Sequence, residues 1–279
     1  MPDKAVTVRL TGPLLLSGAL ALAVAGCDRP QSSRPAPTPP SPVVAAPPEP
    51  AADGILDRAA ILTAINTAAS DAAVGRAAPV AADALAGRRF RMRIAFGCPG
   101  PAPAGETIAT GVPGWSRSAD GKTVRLSFTP ADWTGGDPSG PPVEGFESVG
   151  GVWISHPWIR TADCPVAATP ATGTSTIAAS PTVGLALLRA DGASRLGRDD
   201  SRAFTHTVRG KGDAPTPDPV AGYRLVLEGR LTPWADGRVI RCVVTRAESR
   251  PVCVAGVIID HLAYEDGATG ETLGEWRPG

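Results

Sequence analysis

The side chains best suited to acid–base chemistry near neutral pH are three histidines, His156, His206 and His261. Each stands alone in the sequence. There is no His-Glu-x-x-His and no histidine pair four residues apart, and the one adjacent carboxylate is Asp260 beside His261. Neighbours on a strand project to opposite faces, so Asp260 and His261 are not expected to form a dyad. No serine occupies a Gly-x-Ser-x-Gly elbow, and no glycine-rich phosphate loop precedes a helix. A metal reading fails on spacing, because no cysteines or histidines stand as close as Cys-x2-Cys. No cofactor is implied. Any hydrolytic site would have to be assembled across loops, with His156 or His261 as its base.

The densest group of binding-type residues lies at Gly150–Arg160, where Trp153, His156, Trp158 and Arg160 fall within eight residues. Exposed tryptophan and arginine suit a binding surface, since they offer rigid area and planar donors. The competing reading makes the tryptophans core, because the chain has few other aromatics with which to fill one. Arg88, Arg89, Arg91 and Arg93 form a second group. They could hold an anionic polymer, but an alternating strand places three of them on a solvated face.

The elements that position these residues begin with a leader. Lys4 and Arg9 precede an apolar run from Leu14 to Gly26. Thirteen residues make about 20 Å of helix, too short for the roughly 30 Å of a bilayer core but suited to a signal peptide. The run ends Val24-Ala25-Gly26-Cys27, which resembles the lipobox of bacterial lipoproteins. The resemblance implies removal of residues 1–26 as a signal peptide, diacylglycerol on the Cys27 sulfur and acylation of the new amino terminus. Two or three acyl chains anchor stably where one does not. Residues 27–51 then form a lipidated cysteine and a proline-rich tether, with nine prolines between 30 and 50 and no apolar periodicity. As polyproline II it reaches roughly 75 Å.

Asp53 is the expected N-cap of an amphipathic helix within 52–75, with Ile55, Leu56, Ala59, Leu62, Ile65, Ala69 and Ala73 at helical spacing. Past Pro79 the pattern changes to alternation. Phe90, Met92, Ile94 and Phe96 alternate with Arg89, Arg91, Arg93 and Ala95. Further strands are expected at 124–128, 152–154, 183–188, 204–208, 223–231, 239–244 and 252–259. Glycine-tipped turns at 119–121, 190–192 and 235–237 separate some of them. The fold class is mainly β, an antiparallel sandwich or barrel with one N-terminal amphipathic helix and a β domain over 80–279.

With Cys27 assigned to lipid, Cys98, Cys164, Cys242 and Cys253 remain, an even number that reads as two disulfides in an exported protein. A hairpin of 239–244 with 252–259 sets Cys242 opposite Cys253 and Ile240 opposite Ala255. Cys98 and Cys164 are then left to each other.

Charge excludes one partner class. The chain carries 27 basic and 27 acidic residues, and loss of Lys4, Arg9 and Asp3 with the leader leaves 25 and 26. Such balance creates no field that recruits nucleic acid. The expected protein is a cell-envelope lipoprotein anchored to the membrane by its lipid. Its disulfide-stapled domain would be non-enzymatic and bind an envelope protein or cell-wall component. The alternative is a periplasmic hydrolase.

Overall fold

The computed structural model describes residues 54–76, 84–136, 148–155, 158–164, 181–189, 203–210 and 214–277, together with 138, 146 and 212. The leader, Cys27, the tether and the expected turn at 190–192 lie outside these residues.

One helix, α1 (Arg58–Ala73), is followed by eleven strands. These are β1 (Arg89–Phe96), β2 (Gly114–Arg117), β3 (Thr123–Phe128), β4 (Ala131–Asp132), β5 (Ser148–Trp153), β6 (Val183–Arg189), β7 (Phe204–Arg209), β8 (Tyr223–Leu231), β9 (Ile240–Val243), β10 (Val252–Asp266) and β11 (Thr272–Trp276). The mainly β expectation holds. The helix starts later than expected: the cap is Asp57, whose side chain accepts from the Ala60 amide at 2.8 Å. Leu56 is unavailable to the helix because it bridges β1, taking a hydrogen bond from the Arg91 amide and donating to the Arg89 carbonyl. Ile55, expected on the apolar stripe, is therefore exposed, and Ile61 joins Leu62, Ile65 and Ala69 in the core.

The strands form an eight-stranded sheet, ordered β1-β8-β10-β6-β5-β4 with β9 and β11 also on β10, and a three-stranded sheet ordered β2-β3-β7. Both paths are open among the described residues. Pairing is antiparallel except between β6 and β10, so the larger sheet is mixed rather than purely antiparallel. One core joins the two sheets and the helix: Trp115, Leu126 and Phe128 share a cluster with Leu62, Ile94, Leu225 and Tyr264. The Tyr264 hydroxyl donates to the Phe204 carbonyl at 2.7 Å, and burial pushes this phenol well above the ordinary tyrosine range.

β10 is the organising strand. Its first half lies against β6 and β9, and its second against β8 and β11. Between Ile259 and His261 the register against β8 slips by one residue. Cys253, Ala255, Val257 and Ile259 belong to the core, and so do Leu262 and Tyr264. The bulge at Asp260 thus inverts the parity and keeps His261, Ala263 and Glu265 on the outer face. Opposite it sits Gly229, where a Cβ would lie 1.9 Å from the Ile258 carbonyl oxygen, so only glycine fits.

Both disulfides are present. Cys242 faces Cys253 in register, with Ile240 opposite Ala255, and Cys98 joins Cys164 across 66 residues.

Candidate functional site

The expected binding segment divides into parts with different roles. Trp153, at the end of β5, is half-buried, and its ring meets Trp133 edge-on at 5.0 Å. Both belong to a second apolar cluster with Val149, Ala186, Leu188, Trp234 and Val254 on the outer face of β5, β6 and the first half of β10. Trp133 lies so close to Gly151 that a Cβ there would come within 2.1 Å of the indole. For Trp153, then, the core reading is the correct one.

Beyond Ile154 the chain leaves the sheet, and Trp158 is 61% exposed with Arg160 exposed near it. His156 lies outside the described residues. The two ends of this loop are pinned. At its start, the Ile154 amide donates to Val183 at 2.9 Å, and Arg58 donates from Nη2 to the Ser155 carbonyl at 2.9 Å. Arg58 enters from the first turn of α1, and burial pulls its pKa down to about 10, leaving it charged near neutrality. At the far end, Cys164 is bonded to Cys98, and Arg224 donates to the Ala162 carbonyl and pairs with Asp163. The hydrogen bond from Arg224, followed by one from Thr161, holds the Asp163 carboxyl below its ordinary range. Fixing the ends reduces the ordering cost a partner would meet in binding the middle.

A second group, not foreseen from the sequence, occupies the outer face of the other half of the large sheet. Arg93 donates to Glu265 from Nε at 2.9 Å, and Arg91 reaches Glu265 at 3.2 Å and Glu228 at 3.0 Å. Glu228 also lies 3.0 Å from His261 Nδ1, while His261 Nε2 lies 3.0 Å from Glu275. Arg277 closes the chain of contacts on Glu275 at 3.2 Å. Register explains the assembly, since Arg91 pairs with Glu228 across β1 and β8, and Glu228 pairs with His261 across β8 and β10. The hydrogen bond from His261, and then Arg277, holds the Glu275 carboxyl below its ordinary range.

This network is structural chemistry. Glu265 is 3% exposed and His261 8%, and their polar atoms have hydrogen-bond partners, Arg91 and Arg93 for Glu265 and the two glutamates for His261. Both ring nitrogens of His261 face carboxylates, Nδ1 that of Glu228 and Nε2 that of Glu275. Its hydrogen-bond partners are two glutamates rather than a hydroxyl or thiol, which is no arrangement for activating a nucleophile. Asp260 turns to Arg230 at 3.8 Å, so it forms no dyad with His261. His206 sits on β7 with its ring against Gly274. Among the described residues no cluster of three or more His, Cys, Asp or Glu is placed to hold a metal ion.

The sequence reading of Arg91 and Arg93 as the solvent face of a strand holds, and the structure adds partners that alternation does not reveal. Their side chains are 43% and 40% exposed, but their guanidinium groups are tied to Glu228 and Glu265. The signal for this was an acid at Glu228 in β8, and nothing local links it to residues over 130 positions away.

No protein-family model matches the chain, and no curated protein or solved structure is similar to it.

Proposed function

We propose that the chain is a cell-envelope lipoprotein, anchored through Cys27 and held off the membrane by residues 28–51, whose β domain binds an envelope protein or cell-wall component without catalysing a reaction. The loop carrying Trp158 and Arg160 is its contact point. The observation that carries this reading is a large exposed indole beside an exposed guanidinium, on a loop fixed at both ends. The two disulfides fit an oxidising compartment outside the cytoplasm.

The test is capture of partners from solubilised envelopes by the full-length lipidated protein and by a Trp158→Ala/Arg160→Ala variant. Trp153 is left intact because it packs in the second core. A partner held by the parent and lost by the variant, with thermal stability unchanged, supports the reading. Equal recovery by both proteins overturns the loop as the contact point. Labelling of the mature amino terminus by radioactive palmitate, abolished by Cys27→Ser, tests the anchor separately.

A further inference from the structure

The last turns of α1 and the strand β9 border a cleft of about 260 Å³, just below the roughly 300–1,000 Å³ of ordinary small-molecule sites. Ala68 and Ala72 line it from the helix, one turn apart on a single face. Ile240 and Cys242 line it from the strand, and Val244 from the residue just past it. Alanine at both helix positions leaves the space that a longer side chain would fill. Val244 is 43% exposed, an apolar side chain left at the rim.

Two arginines complete the lining, Arg76 just past the helix end and Arg238 just before β9. Their circumstances differ. Arg76 is paired with Asp71 at 3.0 Å on a side chain that is mostly exposed. Arg238 is half-buried, its guanidinium meets no carboxylate among the described residues, and its Nε is sealed from water without a hydrogen-bond partner. Such a donor is costly unless something accepts from it. Asp236 does not, because it accepts from the Arg238 main-chain amide at 3.1 Å and pairs with Arg241 at 3.2 Å. Arg241 projects to the opposite face of the strand, over the Trp234 ring. The helix end supplies no acceptor at Asp71 or Ala72, whose carbonyls are taken by the Val74, Gly75 and Arg76 amides.

We infer that this cleft binds an aliphatic carboxylate of fatty-acid type, with its carboxylate on Arg238 and its hydrocarbon against Ala68, Ala72, Ile240 and Val244. The lining selects this class. Apart from the two arginines, the described lining side chains are alanine, isoleucine, valine and the disulfide-bonded Cys242. None of these matches the hydroxyls of a sugar or the amides of a peptide backbone. A guanidinium fork suits a carboxylate, and one free guanidinium suits one anionic group rather than a polyanion. The cleft lies at the opposite end of α1 from Arg58 and the loop that Arg58 pins, so the inference is independent of the Trp158 contact.

The experiment titrates octanoate into the full chain by calorimetry. Acetate lacks the hydrocarbon, octanol lacks the charge, and phosphatidylglycerol vesicles offer a competing surface. Octanoate is expected to bind about tenfold or more tightly than acetate or octanol, and to lose about tenfold in Arg238→Gln, one charge-assisted contact. Ala72→Leu keeps a good helix former while filling the cleft. It should abolish octanoate binding without lowering the unfolding midpoint, so the site stays testable where Arg238→Gln disturbs the fold. Trp158→Ala/Arg160→Ala should leave binding unchanged. Undiminished octanoate binding by Ala72→Leu or by Arg238→Gln overturns the inference. So does acetate or octanol binding as tight as that of octanoate, and so does binding to vesicles without binding to octanoate. Absence of octanoate binding by the parent overturns it outright.

Discussion

The outer faces of the two sheets carry the same residue type in opposite circumstances. On the large sheet, Arg91 and Arg93 are bound into a run of ion pairs through Glu265, Glu228, His261 and Glu275. On the small sheet, Arg125 and Arg209 stand among serines and threonines. Arginine on a strand therefore carries no fixed meaning. Its role is set by what the register brings opposite. Where neighbouring strands supply acids, the guanidinium becomes part of the fold. Where they supply hydroxyls, as around Arg125 and Arg209, it stays exposed to solvent.

The buried acid gives the sharpest contrast. Glu265 neutralises two arginines from a position almost sealed from water. Glu265→Ala is expected to cost about 2–3 kcal/mol, because both guanidinium groups lose a charge-assisted bond and the vacated site is poorly filled. Urea unfolding of the variant and parent measures this directly. A loss under 0.5 kcal/mol would mean that the network is no more structural than the face of the small sheet.

His261→Ala should cost less, about 1 kcal/mol, since Glu228 and Glu275 are partly exposed and can turn to water. Its effect should be local. β11 is held on β10 through only a few register positions, and the His261–Glu275 contact reinforces them. Hydrogen exchange at Gly274–Trp276 is expected to quicken in the variant while exchange in β3 stays as in the parent. Uniform acceleration in both sheets would contradict a local role.

The smallest effect is on acid sensitivity. Glu275 titrates below its ordinary range in the fold. Its contribution to stability is therefore full above the unfolded-state value and is lost as pH falls through the lower folded-state one. Glu275→Gln should flatten the decline in stability between those two values, read by unfolding midpoints along a pH series. The same slope in parent and variant would remove Glu275 from the acid response.

How much of this was legible in the sequence follows the range of the interactions. Alternation in Arg89–Phe96 and Thr123–Phe128 marked two strands and their buried faces, because period two is a local property. The Cys242–Cys253 pairing was legible because a tight connection fixes register, and the core assigned to the tryptophans was real for Trp153. The continuation of β10 past Ile259 was hidden by the bulge, which breaks the alternation at Asp260. β2 and β11 are too short, and too mixed in residue type, to show a period. The parallel pairing of β6 and β10 has no local signature. The charged network was the least visible, since Arg91 and Glu265 meet across 174 residues. Residues that touch only through sheet register cannot be paired before the strand order is known.

The most direct test removes two arginines from each face and compares the outcomes by chemical denaturation. Arg91→Ala/Arg93→Ala leaves Glu265 buried without a cation and is expected to cost about 3 kcal/mol or more. Arg125→Ala/Arg209→Ala removes exposed charges that meet no carboxylate among the described residues and should stay within about 0.5 kcal/mol of the parent. That separation is what the account predicts. Equal losses from the two faces would contradict it, and would mean that pairing across the sheet does not decide which arginines hold the fold together.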